Sequence, residues 1–337
     1  MVAYTGIQGQ NILIVSSDPA NPTEGQIWYN STSNLLKGYA NVATNAWASG
    51  GNLNTARGGV GSSGSGTQTA ALAFGGYNGT VNVGATESYN GTSWTTVPAT
   101  MNTTRRYMGS SGTQTSALGF GGGPPAVSST ESYNGSSWTS VNSMGTARYQ
   151  LGGVGTQTAS LGFGGGSPAF GPPSNVTGAT ESWDGTSWAS NPTGLNAARN
   201  SLGNAGSQTA ALAFGGYSIP PPSGTVTVTE SWNGTSWTTL PGTMNTSRNT
   251  LGGTGSQTAA LAFGGSGGPV GTATESWNGS VWTNLPNMAT ARYGVYGSGT
   301  QAASVVMGGF LTPPNAVTAA TEEWTGINLT TRTITTS

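Results

Sequence analysis

One segment recurs six times in this chain: an Arg, a Gln-Thr pair downstream (Gln-Ala in the sixth), an apolar run ending in Gly-Gly, a Thr-Glu pair, an aromatic residue and, in the first five, a tight turn and a Trp. Gln68, Gln114, Gln157, Gln208, Gln257 and Gln301 mark the period, at spacings of 46, 43, 51, 49 and 44 residues. That period belongs to propeller blades rather than to helical repeats, which would also need helix formers that this chain lacks.

Residues 245–282 serve as the type unit. Leu251-Gly252-Gly253 reads as an innermost strand, where Gly suits chains that crowd close at a propeller axis. Residues 257–263 alternate Leu and Phe with Ala, the continuous apolar run of a strand buried on both faces, and Gly264-Gly265 ends it. Thr274-Glu275-Ser276-Trp277 forms a third strand. Asn278-Gly279 then predicts a tight turn with its central residues at positive φ, and Trp282 opens the outermost strand. The turn recurs as Asn90-Gly91, Asn134-Gly135, Asp184-Gly185 and Asn233-Gly234. Four antiparallel strands per repeat make a propeller blade.

Composition removes several classes. Charged residues are only 6% of the chain, against about 25% in ordinary globular proteins. Gly is abundant at 57 residues, yet eleven Trp and regular apolar runs argue for a packed core rather than disorder. A net charge of −1 leaves no footprint for nucleic acid or an anionic membrane. No apolar stretch approaches the roughly 18 residues of a membrane span, so no membrane insertion is expected. No Lys or Arg precedes the short apolar run at 12–15, so no secretory signal is read there. Without Cys there are no disulfides, thiolates or structural zinc.

The outer-strand Trp appears at 47, 94, 138, 188, 237 and 282. Trp47 precedes the first complete unit, whereas the last unit has Leu329 in its place. The simplest closure lets the strand at Trp47 complete the blade begun at Arg292, pairing the N- and C-terminal strands and removing an open edge. The expected fold is therefore all-β: a six-bladed propeller over residues 31–337, with 1–30 as an N-terminal anchoring segment. A seven-blade alternative takes residues 27–30, residues 35–39 and Trp47 as three strands of an extra blade, completed by residues 330–336.

Over residues 40 to 330 the chain resembles the kelch family, which closes its second strand with Gly-Gly and then places an aromatic and a Trp five residues apart. Here these are Gly75-Gly76 with Tyr89 and Trp94, and Gly215-Gly216 with Trp232 and Trp237. Kelch-like propellers serve unrelated functions, so the resemblance implies fold alone. Repeats this alike and this poor in charge are similar to those of bacteriophage structural proteins. Residues 17–30, Ser-Asp-Pro-Ala-Asn-Pro-Thr-Glu-Gly-Gln-Ile-Trp-Tyr-Asn, resemble a segment common in phage tail and fibre proteins.

Six of the nine basic residues are the repeat Arg: Arg57, Arg105, Arg148, Arg199, Arg248 and Arg292. Six of the ten acidic residues are the repeat Glu: Glu87, Glu131, Glu181, Glu230, Glu275 and Glu322. One of each per unit predicts repeated structural ion pairs rather than a carboxylate ring for cations or sugars. Without His there is no imidazole base and no Ser-His triad. Carboxylates used identically in every unit do not make a glycosidase pair, because an active site breaks symmetry. No enzyme, cofactor or metal is expected.

The loops between the Gly doublet and the Thr-Glu strand vary most: 77–85, 123–129, 166–179, 217–228, 266–273 and 310–320. Four carry consecutive Pro, which fixes φ and lowers the entropy lost on binding. Candidate binding residues on this face are Tyr77, Phe170, Pro172, Tyr217, Ile219, Pro221, Phe310 and Pro313, with Phe170, Tyr217, Ile219 and Phe310 as exposed apolar anchors. Candidate anchor residues for docking on another virion subunit or a further copy of the chain are Ile12, Leu13, Ile14, Val15, Ile27 and Trp28. The function expected is a virion structural protein whose propeller binds a host-surface glycan or protein as part of a tail fibre. The alternatives are a capsid or tail decoration protein, a cellular kelch interaction module and a glycan-processing enzyme.

Overall fold

The computed structural model describes residues 12–22, 26–167, 175–219, 224–267, 271–312 and 316–333. These form strands and turns with no helix. Two compact units divide the chain: Met1–Asn45 with Gly326–Ser337, and Ala46–Thr325. The boundary expected at 30/31 lies upstream of this division.

The larger unit consists of repeated four-stranded antiparallel sheets, consistent with a β-propeller. In the fifth repeat Gly252–Gly255 pairs with Ala260–Phe263, then Thr274–Trp277, then Trp282–Leu285. The first four repeats have the same order. In the sixth, Tyr296–Gly299 and Ala303–Met307 are followed by Thr321–Thr333 and then by Leu35–Ser49, whose residues from Ala46 onward belong to this unit. Leu35 and Trp47 thus share one strand, unlike the separate strands of the seven-blade alternative.

Four of the six second strands are buried along their whole length, and the other two are buried at all but their first residue, because a neighbouring sheet covers either face. The Phe that ends it meets the outer Trp of the next repeat. Ring centroids are 4.7 Å apart for Phe74–Trp138 and Phe120–Trp188, 4.8 Å for Phe163–Trp237, 4.9 Å for Phe214–Trp282 and 5.7 Å for Phe263–Trp47. The sixth repeat has Met307 at the Phe position, packed with Trp94. Such aromatic pairs contribute about 0.5–1.5 kcal/mol beyond their buried area.

The inner strands touch in series, first on second through fifth on sixth, and sixth on first. Their glycines permit this approach: a Cβ on Gly253 would lie 2.5 Å from the Asn204 carbonyl oxygen of the adjacent repeat. Arg57 and Gln68 are eleven residues apart where the other five pairs are nine apart, and the first inner strand shortens to Gly61–Ser62.

The hairpin turn differs from its expected form. Only its Gly has positive φ, from 92° at Gly91 to 97° at Gly185. Tyr89 pairs with Trp94, leaving a four-residue loop. Within it Asn90 Oδ1 accepts the amides of Thr92 and Ser93 at 3.0 and 2.9 Å. The Asn is there for its side-chain acceptor, not for a left-handed backbone.

In the smaller unit Leu13–Val15 pairs in parallel with Ile27–Asn30, which pairs antiparallel with residues 35–38. Trp28 is fully buried. Asp18 Oδ1 accepts Trp28 Nε1 at 3.0 Å and Asn30 Nδ2 at 2.8 Å, while Oδ2 meets Lys37 Nζ at 2.7 Å. The Lys37 hydrogen bond leads the interactions that hold the Asp18 carboxyl down at about 2.

Candidate functional site

All six repeat Arg reach the Glu of their own repeat at 2.7–3.2 Å, with both side chains at most 3% exposed. The second carboxylate oxygen accepts a backbone amide from the loop before the Arg (Asn54, Asn102, Gly145, Asn196, Asn245 or Ala289) at 2.6–2.7 Å. In four repeats Arg Nη1 also donates to the carbonyl of the first doublet Gly, as Arg57 does to Gly75 at 2.8 Å. Burial lowers the Arg199 and Arg248 pKa values to about 10, opposed by Glu230 and Glu275, and both remain charged at neutral pH. Each pair ties three segments of its sheet together, so these charges hold the loop face in place.

Two further bonds run between repeats. The outer Trp Nε1 donates to the third-strand Thr of the repeat before it at 2.9 Å: Trp94 to Thr321, Trp138 to Thr86, Trp188 to Thr130, Trp237 to Thr180, Trp282 to Thr229 and Trp47 to Thr274. The marker Gln donates to the carbonyl of the third-strand aromatic residue in that same preceding repeat at 2.5–2.8 Å, from Gln68 to Trp324 through Gln301 to Trp277.

Two residues past each repeat Arg the backbone is left-handed. φ is 64° at Gly59, 53° at Tyr107, 56° at Gln150, 54° at Ser201, 49° at Thr250 and 59° at Gly294. These six residues are joined head to tail by their amides. Tyr107 N–H donates to Gly59, Gln150 to Tyr107, Ser201 to Gln150, Thr250 to Ser201, Gly294 to Thr250 and Gly59 to Gly294, at 2.7–3.0 Å. The residue before each member bridges to the residue after the Gly doublet: Gly58 to Tyr77, Arg106 to Gly123, Tyr149 to Gly166, Asn200 to Tyr217, Asn249 to Ser266 and Tyr293 to Phe310.

These three positions, set among residues that scarcely change, vary from repeat to repeat. On one side they form an aromatic cluster. Phe310 stacks with Tyr293, Tyr107 and Tyr77 at 5.2, 6.1 and 6.3 Å, and the Arg106 guanidinium lies 4.3 Å over the Tyr77 ring. On the other side they line a cavity of about 350 Å³ with Gln150, Asn200, Asn249, Tyr149, Tyr217 and Tyr293. Burial pushes the Tyr149 and Tyr293 hydroxyls up, so both stay neutral at physiological pH. The opposite end of the inner strands opens into a cavity of about 460 Å³, lined largely by Gly, Ala, Ser and Thr.

Of the expected binding residues, Tyr77, Tyr217 and Ile219 are half-buried on this face. Phe310 is not an exposed anchor: it is 7% exposed, filling space left by Gly58, whose Cβ would sit 2.3 Å from its ring. Phe170, Pro172, Pro221 and Pro313 lie outside the described residues. Among the anchor candidates Leu13 and Ile14 are exposed, Ile12, Val15 and Ile27 half-buried. Trp28 is corrected to a core residue, because its N–H and ring are committed to Asp18 and the unit interior. Gln150, Asn200, Asn249 and Tyr149 were missed by the sequence reading. Their signal is variation at one place in aligned repeats, opposite to the shared residues that define the unit. No protein-family model matches the sequence, and comparison with curated proteins finds no match.

Proposed function

We propose that the larger unit is a kelch-like propeller of six blades, completed by the strand through Trp47, and that it works as a non-enzymatic binding scaffold. The observation carrying this reading is the Trp-to-Thr series, in which Trp47 supplies the sixth member and Trp94 of the first repeat returns to Thr321 of the last. The repeat Glu are spent on Arg and backbone amides, which supports a structural rather than hydrolytic use of the carboxylates.

The scaffold belongs to a bacteriophage particle, presenting the face after the Gly doublets to a host-surface glycan or protein in the manner of a tail fibre. Residues 1–30 attach it to another virion subunit or to a second copy of the chain. Support for attachment comes from the resemblance of residues 17–30 and from the exposed edge strand Leu13–Val15, where Ile14 is 72% exposed. Locating the chain in intact particles tests this. A distal tail position is expected, with deletion of residues 2–25 leaving a folded propeller that no longer enters particles. Absence from particles refutes the reading, and a site wedged between shell subunits replaces it with decoration.

A further inference from the structure

We infer that the cavity over the hydrogen-bonded ring binds an uncharged saccharide of one or two rings. The inference rests on the binding-scaffold reading and names its ligand class.

The first ground is the choice of residues at the left-handed position. Gly59 and Gly294 show that glycine fits there, and glycine adopts this backbone freely. Tyr107, Gln150, Ser201 and Thr250 occupy it against a steric bias that is strongest for a β-branched residue such as Thr. Four different side chains are thus held at one mouth in a conformation that the fold would grant to glycine more easily.

Unspent polar groups are the second ground. Asn200 is only 6% exposed, yet its side-chain carboxamide makes no hydrogen bond to the described residues; neither does the Gln150 side-chain carboxamide or the Tyr217 hydroxyl. Asn249 Oδ1 accepts Ser266 Oγ at 2.5 Å and Thr250 Oγ1 at 3.2 Å, leaving its two N–H donors for something else. Amide and hydroxyl groups that both donate and accept match a rim of sugar hydroxyls, which do the same. A half-buried amide gains most from a partner that replaces its water.

The walls supply the third. Tyr217 and Tyr293, both half-buried, offer flat apolar surface to the cavity, suited to the C–H face of a pyranose, and the buried Tyr149 backs the wall. Among the described residues no carboxylate, Lys or Arg lines the cavity, so none of them compensates a charged ligand. The Arg106 guanidinium is committed to the Tyr77 ring in the aromatic half. A volume of about 350 Å³ falls at the small end of ligand pockets, about 300–1,000 Å³. Below the ring the space contracts to about 10 Å³, so a ligand rests on the ring and does not thread between the inner strands.

The test uses the purified full chain, by saturation-transfer NMR and calorimetry. The probes are methyl glucoside, methyl galactoside, methyl mannoside, N-acetylglucosamine, maltose and lactose, with glucuronic and sialic acids as charged comparators. At least one neutral sugar is expected to bind, one per chain. Gln150→Gly, which removes the amide where glycine is already accommodated, and Asn200→Ala should each weaken it about tenfold, the loss of one or two hydrogen bonds. Melting curves establish that both variants fold. Ser256→Ala at the opposite end should leave binding unchanged. Failure of every neutral sugar, preference for the acidic sugars, or affinity indifferent to both variants would each overturn the inference. Particle localisation separates the two claims. A protein found in particles that binds no sugar keeps the virion reading and loses this one, and a sugar-binding protein absent from particles does the reverse.

Discussion

The two ends of the inner strands obey opposite rules. At one end Gly112, Gly155, Gly206, Gly255 and Gly299 all have φ between 98° and 123°, and a Cβ on any of them would meet a carbonyl oxygen at 2.2 Å. Five repeats have no choice of residue there. At the other end the left-handed position takes Gly twice and Tyr, Gln, Ser and Thr once each. Where backbone approach compels glycine, repetition reports the scaffold. Where the backbone admits glycine without compelling it, the residue is free to serve a ligand.

The ion pairs that hold the loop face recur in all six repeats, so disturbing one should have the largest effect. Arg199→Ala strands Glu230 as a buried, uncompensated charge, and about 3–5 kcal/mol of stability should be lost in denaturant unfolding. A loss under 1 kcal/mol would mean that the pair is incidental.

Substituting the two ends in opposite senses sharpens the contrast. Gly206→Ala adds a Cβ at φ 110° and 2.2 Å from the Ala210 carbonyl oxygen, and should cost about 1–3 kcal/mol. Gln150→Gly relieves a left-handed non-glycine residue and should raise stability by about 0.5–1 kcal/mol, less than the full 1–2 kcal/mol of the bias because glycine frees the unfolded chain. Equal losses at both positions would erase the distinction.

Much of this scaffold was legible because it repeats. The strand order follows from the apolar run, the Gly doublet and the Asn-Gly turn, and the one-to-one Arg and Glu were readable as pairs. The ligand-facing residues were not. Gln150 and Asn200 look like noise when repeats are aligned for what they share, and only the bridge from each doublet to the residue after Arg brings them to one mouth. Phe310 was misread for a related reason. Its loop position suggested exposure, but the space it fills is set by Gly58, far away in sequence. Trp28 likewise depended on Asp18, whose role as acceptor for three side chains has no sequence signature.

The smallest effect belongs to a hairpin turn. Asp184 replaces the usual Asn, and hydrogen bonds from Ser187 and Thr186 hold its carboxyl below the ordinary range. A folded-state pKa depressed in this way gives stability that is complete above the unfolded value, about 3.9, and is lost as pH falls toward the folded one. Melting curves between pH 7 and pH 2 should therefore show Asp184→Asn losing less stability on acidification than the parent protein. Parallel curves would exclude a contribution from this turn.

Amide hydrogen exchange at Gly59, Tyr107, Gln150, Ser201, Thr250 and Gly294 tests the central claim, that six repeats form one uninterrupted ring with the variable mouth built upon it. The Gly59-to-Gly294 bond joins the first repeat to the last and has the same length class as the other five. All six amides should exchange slowly, with protection factors within about tenfold of one another. Fast exchange at Gly59 with protection at the four amides from Tyr107 to Thr250 would show that the ring is open between the first and sixth repeats, and would contradict the account.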